Sequence, residues 1–147
     1  LAGDLVAECV RRHGVPPHEI AVIAPFRAQV RLLRSALERR GIPIDRLVVD
    51  TVERVQGQER EIVVVSLAAG DPAALDRRGS FFFSPNRLNV ALSRARTKAV
   101  IVASQGVFAA LPMDPEGLRA ASIYKALARS LPQVDFSAVY GPRARVR

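Results

Sequence analysis

The sequence of 147 residues predicts an α/β fold, a three-layer sandwich with a mainly parallel sheet. Two observations support this prediction. The short, continuous apolar run at 20–24 is typical of a strand buried on both faces, and the largely apolar stretches at 47–50, 61–67 and 98–104 predict three further strands. Between them lie segments whose apolar residues recur at helical spacing. Strands that alternate with helices are joined by right-handed crossovers, so we expect a parallel sheet covered by helices on both sides.

The helices are predicted from caps and periodicity. We expect the first from Asp4, a favoured N-cap residue, through Arg12. The second is predicted by an apolar face, and Gly41 and Pro43 end it. A third covers about 85–95. The apolar face of the second helix consists of Phe26, Val30, Leu33 and Leu37.

The last predicted helix begins at 114–116, where an N-cap aspartate, a first-turn proline and an acid occur together. We expect its apolar face to be buried. That face consists of Ala120, Ile123, Tyr124, Leu127 and Leu131. The expected domain therefore covers 1–135, and 136–147 form a basic tail.

Charge indicates a polyanionic partner. Lys and Arg number 22 against 14 Asp and Glu, a net charge of +8. Residues 86–147 hold ten of these cations and three anions, a net charge of +7. Such an asymmetry favours nucleic acid or nucleotide phosphate as a partner. An arginine-rich surface that serves solubility is the alternative on composition alone.

The composition also excludes several classes of protein. One cysteine, Cys9, and two histidines are too few for a disulfide framework or a Cys/His metal centre. We interpret Cys9 as a small apolar residue of the core. No apolar run is long enough for a membrane helix, and no secretory leader is present. We therefore expect a cytoplasmic location, no membrane partner and no bound metal in this chain.

Three polar segments, at 25–29, 50–59 and 85–96, lie at strand ends or lead into a helix. Ligands of parallel sheets bind at the carboxyl ends of the strands, so we expect these segments to share one rim. Arg87 and Arg94 are two helical turns apart and project from one face, which suits a phosphoryl group. Asn89, Ser93 and Arg96 form a neighbouring polar face. Taken singly, each segment is better explained as ordinary solvated surface.

Taken together and in this order, the segments resemble motifs IV, V and VI of superfamily 1 helicases. The similarity is to the branch of the nonsense-mediated-decay helicase and the DNA replication helicase-nuclease. The motifs read IAPFRAQ at 23–29, TVERVQGQEREIVVVS at 51–66 and RLNVALSRAR at 87–96. The resemblance covers about 20–103. It implies the C-terminal RecA-like domain of a two-domain motor that binds ATP between its halves.

By position, the resemblance implies a role for each motif residue. Arg94 is similar to the arginine finger that reaches the γ-phosphate. Gly57 and Glu59 would approach the γ-phosphate and the ribose, and Gln56 would couple the nucleotide to the nucleic acid strand. The remaining implied contacts are Arg27, Gln29 and Arg87 on the nucleotide side, and Thr51 and Ser66 on the nucleic acid backbone.

The chain departs from the family pattern at two positions of motif IV. Phe26 stands where a tyrosine is common, which removes a hydroxyl contact. Val30 stands where some members carry an arginine after the glutamine.

The sequence has no Gly-Lys phosphate-binding loop and no apolar strand that ends in Asp-Glu. The resemblance places these parts in the N-terminal RecA-like domain, which would hold Mg²⁺ and complete the ATP site. We expect single-stranded DNA or RNA as the other partner, and no ATP hydrolysis by the chain alone. Because the chain begins at Leu1, we also expect it to be a piece of a longer protein. The alternative is a noncatalytic, helicase-derived module that binds nucleic acid or a protein.

Overall fold

A computed structural model describes residues 1–55, 57–67, 82 and 84–134. Four parallel strands form a sheet in the order β2-β1-β3-β4, with helices on both faces. The strands are β1 (Ile20–Ile23), β2 (Val48–Asp50), β3 (Arg60–Leu67) and β4 (Ala95–Ala103). The predicted α/β fold with a parallel sheet is confirmed. The predicted tail at 136–147 lies outside the described residues.

The helices of the described part are α1 (Ala2–Arg11), α2 (Arg27–Glu38), α3 (Pro85–Leu92), α4 (Gln105–Ala109) and α5 (Pro115–Ser130). Two 3-10 turns, Pro17–Glu19 and Val52–Arg54, precede β1 and follow β2. No described helix is both long enough and apolar enough to cross a membrane.

The start of α1 differs from the prediction. Its N-cap is Leu1, and Asp4 lies in the first turn instead of capping the helix. There the Asp4 carboxylate accepts from the Arg40 guanidinium at 2.9 Å and pairs with the Leu1 amino group at 3.2 Å. The hydrogen bond from Arg40 is the main cause that lowers the pKa of Asp4. Asp4 therefore ties α1 to the end of α2.

The boundary between α3 and β4 also lies earlier than predicted. The helix ends at Leu92 and the strand begins at Ala95, three residues before the expected start. The reason is pairing with β3, in which Ala95 is the register partner of Arg60. Arg96 therefore belongs to the strand. The sequence did not predict this, because a charged residue is not typical of a buried strand.

Helix α5 begins as predicted, because the Asp114 carboxylate accepts from the Gly117 amide at 2.6 Å. Its buried face is shifted from the prediction. Ala120 and Tyr124 are buried, whereas Ile123 is 47% exposed and Leu131 is 44% exposed. Small residues, Gly117 and Ala121, occupy the face that packs on the sheet and let the helix approach closely.

The core has two parts, one on each face of the sheet. On one face, α1 and α2 cover residues of β1, β2 and β3. On the other, α3, α4 and α5 pack with Val55 and Phe82 over alternate residues of β1 and β3. Strand β1 is buried at all four positions because both layers cover it.

Strand β2 is the outermost strand on one side of the described sheet, and Arg34 of α2 lies against its outer side. The Asp50 carbonyl accepts from the Ala24 amide and therefore faces β1. Successive carbonyls of a strand alternate in direction, so the Val49 carbonyl faces away from the sheet. Nε and Nη2 of Arg34 both donate to this carbonyl, at 3.1 and 2.9 Å.

Candidate functional site

The prediction that the three polar segments meet on one rim holds only in part. One residue from each segment, Pro25, Glu53 and Arg87, lines the same pocket. Gln29 and Ser66 lie at the carboxyl edge of the sheet, where β1 and β3 end. Arg94 lies at the amino edge, because its carbonyl accepts from the amide of Arg60, the first residue of β3. Six strand residues separate Arg60 from Ser66, which corresponds to about 20 Å. The candidate residues therefore form two groups at opposite ends of the sheet.

Motif IV and the end of β3 are joined at the carboxyl edge. The side-chain amide nitrogen of Gln29 donates to the carbonyl of Ser66 at 2.8 Å and to its hydroxyl oxygen at 3.0 Å. Oε1 of Gln29 is buried and has no hydrogen-bond partner among the described residues. Arg27, in the first turn of α2, is exposed. Gln29 thus orients the helix on the strand, whereas Arg27 is open to solvent.

Motifs V and VI are also joined at the carboxyl edge. The guanidinium Nε of Arg87 donates to the Glu53 carboxylate at 2.9 Å. Burial of the Glu53 carboxyl opposes its ionisation, but hydrogen bonds from its own amide and the Thr51 hydroxyl, together with Arg87, lower its pKa. Arg87 therefore faces a carboxylate, and it lies at the opposite end of α3 from Arg94. Glu53 had no motif role in the sequence, so sequence reasoning missed it.

Thr51 and Ser66 are the two candidates for nucleic acid contact, and both are largely buried. Their exposed fractions are 7% and 5%. The Thr51 hydroxyl faces Glu53, and the Ser66 hydroxyl accepts from Gln29. In this arrangement they support the carboxyl edge from within, and the exposed groups beside them are Arg27 and Glu53.

The amino edge holds Gly57, Glu59 and Arg94. Gly57 has a φ of 80°, in the left-handed region that favours glycine, and a Cβ at this position would meet no atom within 4 Å. Glu59 is exposed and directly precedes β3. Backbone pairing between Arg60 and Arg94 brings motif V beside the end of motif VI. Gln56, the fourth predicted member, lies outside the described residues.

The Arg94 side chain is held by its own helix. Its Nε donates to the Val90 carbonyl at 3.2 Å, and Nη2 donates to the Ser93 hydroxyl oxygen at 3.1 Å. It forms no ion pair with any residue that the structure describes. The guanidinium is therefore oriented by polar neighbours while its charge is not neutralised by a described carboxylate.

Arg96 behaves differently from Arg94, although the sequence placed both on one helix. It lies in β4 and pairs with Glu61 of β3 at 2.9 Å and with Glu19, before β1, at 2.5 Å. The hydrogen bond to Glu61 is the main cause that raises the pKa of Arg96. This network joins the amino ends of three strands, so Arg96 has a structural role in the sheet.

The remaining candidates are metal-ligand residue types and the thiol of Cys9. In the described ranges, no group of three or more His, Cys, Asp or Glu side chains is placed to hold a metal ion. Cys9 is partly buried, and burial raises the pKa of its thiol. A thiol held in its protonated form is a poor nucleophile, which agrees with the interpretation of Cys9 as a packing residue.

The comparison with protein families decides the classification. A family model described as an AAA domain matches residues 2–106. The chain belongs to this AAA domain family. The match covers all three motifs, and the relatives are helicases, which confirms the predicted C-terminal domain of a superfamily 1 helicase.

Three relatives illustrate the range of this helicase family. The chain is 38% identical over 117 residues to "Putative helicase MOV-10" of Gallus gallus, which is 71% of the chain and 12% of the relative. It is 33% identical over 89 residues to "DNA polymerase alpha-associated DNA helicase A" of Schizosaccharomyces pombe, covering 60% and 13%. It is 35% identical over 101 residues to "Probable RNA helicase armi" of Drosophila melanogaster, covering 66% and 8%. The helicase domain thus spans about a tenth of the length of these relatives.

Proposed function

We propose that this helicase domain supplies half of the ATP site of a DNA or RNA helicase or translocase, together with part of its single-strand surface. The observation that carries the proposal is the state of Arg94. Its guanidinium is fixed by the Val90 carbonyl and the Ser93 hydroxyl and is not neutralised by a described carboxylate. A cation oriented in advance is what stabilises the charge on a γ-phosphoryl group during transfer.

The residues of the amino edge fit a nucleotide. Gly57 presents open backbone, because no atom lies within 4 Å of the position that a Cβ would take. Glu59 is exposed beside it and can accept hydrogen bonds from ribose hydroxyls. Both lie at the end of the sheet that holds Arg94. In this proposal Arg94 donates to the γ-phosphate oxygens, Gly57 allows close approach and Glu59 orients the sugar, with Gln56 next to them in sequence.

The N-terminal RecA-like domain of the parent polypeptide is proposed to complete the site. It would hold Mg²⁺ and the β- and γ-phosphates, since the chain has no phosphate-binding loop and its described part has no metal-ligand cluster. The helicase domain alone should accordingly not hydrolyse ATP.

The carboxyl edge is proposed as the single-strand surface. Arg27 is exposed there at the start of α2, where the helix N-terminus favours a phosphate. Gln29, Thr51 and Ser66 hold this edge in shape from within. The chain's net charge of +8 adds nonspecific affinity for the phosphate backbone, so binding should weaken as salt rises. Arg27, Gln29 and Arg87, for which the resemblance implies a nucleotide contact, lie on this edge. In this proposal Arg27 is its exposed cation, while Gln29 and Arg87 hold its shape through Ser66 and Glu53.

The decisive experiment compares nucleic-acid-stimulated ATP hydrolysis by the parent polypeptide with and without Arg94→Ala. Turnover should fall about 1,000-fold or more, because one transition-state cation is lost, while ATP binding persists. Arg119→Ala, which removes an exposed arginine of α5, is the matched control and should retain full turnover. Equal turnover of the Arg94→Ala and unmodified proteins would refute the assignment.

The noncatalytic binding module is the second candidate. The net positive charge favours it equally, since it requires only affinity for nucleic acid. It predicts no ATP hydrolysis by the parent polypeptide with Arg94 intact, together with salt-sensitive binding of a single strand. The same assay therefore separates the two functions.

A further inference from the structure

The Glu53–Arg87 ion pair connects the two segments on which the proposed function depends. Glu53 lies in the 3-10 turn that follows Thr51, and Arg87 lies in the first turn of α3. The 2.9 Å contact between Arg87 Nε and Glu53 Oε1 spans 34 residues of sequence. It is a contact between motif V and motif VI at the edge proposed for nucleic acid.

Helix α3 carries this contact toward the amino edge. Its inner residues Leu88 and Ala91 are packed in one core cluster, so the helix is a single rigid element between its two ends. Arg87 near its start and Arg94 just beyond its end are seven residues apart, about 10 Å along the axis. A displacement of the helix start therefore reaches the residue proposed to contact the γ-phosphate.

Motif V is anchored at a second point. Val55, two residues after Glu53, is buried in the same core cluster as Leu88 and Ala91. This apolar contact fixes the distance between motif V and α3, but it has no directional bond. The ion pair supplies that bond, because Nε of a guanidinium donates along a defined direction to one carboxylate oxygen.

We propose that Glu53 is a positioning residue that couples nucleic acid binding at the carboxyl edge to the placement of Arg94 at the amino edge, acting through Arg87 and α3. This inference rests on the proposed function. A strand that binds at this edge displaces the 52–54 turn, and Glu53 transmits the displacement to α3. Ion pairs as exposed as this one contribute little to folding, so its loss should not unfold the domain.

The test measures ATP hydrolysis by the parent polypeptide in the presence and absence of single-stranded nucleic acid. Glu53→Gln should lower the stimulation factor about five-fold or more, which is the lower end of a typical coupling between sites. The basal rate and the unfolding temperature should stay unchanged, and the affinity for the strand should change no more than it does on removal of another negative charge from the same edge. The charge-swapped variant Glu53→Arg with Arg87→Glu should recover most of the stimulation, because it restores the pair.

A matched control uses a carboxylate of the same edge. Asp50 pairs with Arg54 at 3.8 Å within one segment, and its other oxygen accepts from the Thr51 amide at 2.8 Å. Asp50→Asn removes the ion pair and keeps an oxygen that can accept from Thr51. Its stimulation factor should equal that of the unmodified protein. An unchanged factor in Glu53→Gln, or a parallel fall of basal and stimulated rates, would overturn the coupling role.

The Arg94→Ala variant shows whether a negative result contradicts the coupling role of Glu53 or the proposed function itself. If turnover depends on Arg94 but not on Glu53, the coupling fails and the proposed function stands. If turnover does not depend on Arg94, the proposed function fails first.

Discussion

Replacing Gln29 with glutamate tests the junction between α2 and β3 through a change of one atom. The amide nitrogen of Gln29 donates to both oxygens of Ser66, at 2.8 and 3.0 Å. Each such bond contributes about 0.5–1.5 kcal/mol net, so the two together contribute roughly 2 kcal/mol. A carboxylate has no donor and places negative charge against a carbonyl, so Gln29→Glu should destabilise by about 3 kcal/mol near neutral pH.

The pH dependence of this variant has a defined sign. Burial against a carbonyl favours the protonated acid, which raises its pKa in the folded state above the unfolded value of about 4.3. The folded state then binds more protons between the two pKa values, so stability falls as pH rises through this window. Urea unfolding followed by circular dichroism should give a higher midpoint at about pH 5 than at about pH 8.

Gln29→Met is the matched control. It loses both hydrogen bonds but also removes Oε1, which is buried without a partner among the described residues. An unpartnered buried acceptor costs about 1–3 kcal/mol, so the removal of Oε1 offsets the donor that the Ser66 carbonyl loses. Gln29→Met should therefore be less destabilised than Gln29→Glu, and its midpoint should not differ between about pH 5 and about pH 8. A Gln29→Glu midpoint that matches the unmodified protein and does not vary with pH would refute the reasoning, because Oε1 would then face Ser66.

Two further variants test other parts of the fold. Gly117→Ala should destabilise the domain by about 1–3 kcal/mol in urea unfolding, since the new Cβ would lie 2.6 Å from an oxygen of Asp114, the N-cap of α5. Glu61→Gln should make the domain less sensitive to acid. Hydrogen bonds from Thr97 and then Arg96 lower the pKa of Glu61, so its stabilisation is present above the unfolded value of about 4.3 and is lost as pH falls through the folded pKa. The measurement is the unfolding midpoint against pH.

The Gly117 and Glu61 predictions can each be contradicted by a defined result. Gly106→Ala places a Cβ 3.8 Å from the Ser104 hydroxyl, an ordinary contact, and should leave the midpoint nearly unchanged. A similar midpoint for the Gly117 variant would show that α5 can move away from its cap. Equal acid sensitivity of the Glu61 variant and the unmodified domain would mean that other carboxylates dominate acid unfolding.

The sequence predicted all four strands and most of the helices because hydrophobic burial determines them. The run at 20–24 is buried on both faces, and such runs have few alternatives. The start of α5 was also predicted, because an N-cap aspartate and a first-turn proline, Asp114 and Pro115, are recognised from adjacent residues alone. Helix α4 was missed because its five residues, Gln105–Ala109, are too short to show a period. The start of β4 was missed because Arg96 and Thr97 are polar and their pairing with β3 is not local.

The placement of the candidate residues was predicted only in part. The sequence identified the motif residues, but reasoning from strand ends placed them on one rim. Glu59 comes directly before β3 and Arg94 directly before β4, so both lie at the amino edge. The connection from β2 to β3 crosses the length of the sheet in nine residues, 51–59, without a long helix. A short crossover of this kind has no periodic signal, so only the folded chain shows that motif V reaches from one edge to the other.

Arg34 protects the outer side of strand β2 from pairing with another chain. An edge strand offers free amides and carbonyls to any other extended chain, and proteins limit this hazard by covering the edge. The fork of Arg34 occupies the outward carbonyl of Val49 in β2 and blocks a strand that would pair there. At the other edge of the described sheet, β4 runs for nine residues with Thr97, Lys98 and Ala99 exposed. Among the described residues, the two sides of the sheet are therefore protected differently: a guanidinium occupies a backbone carbonyl on the β2 side, and the charge of Lys98 lies on the β4 side.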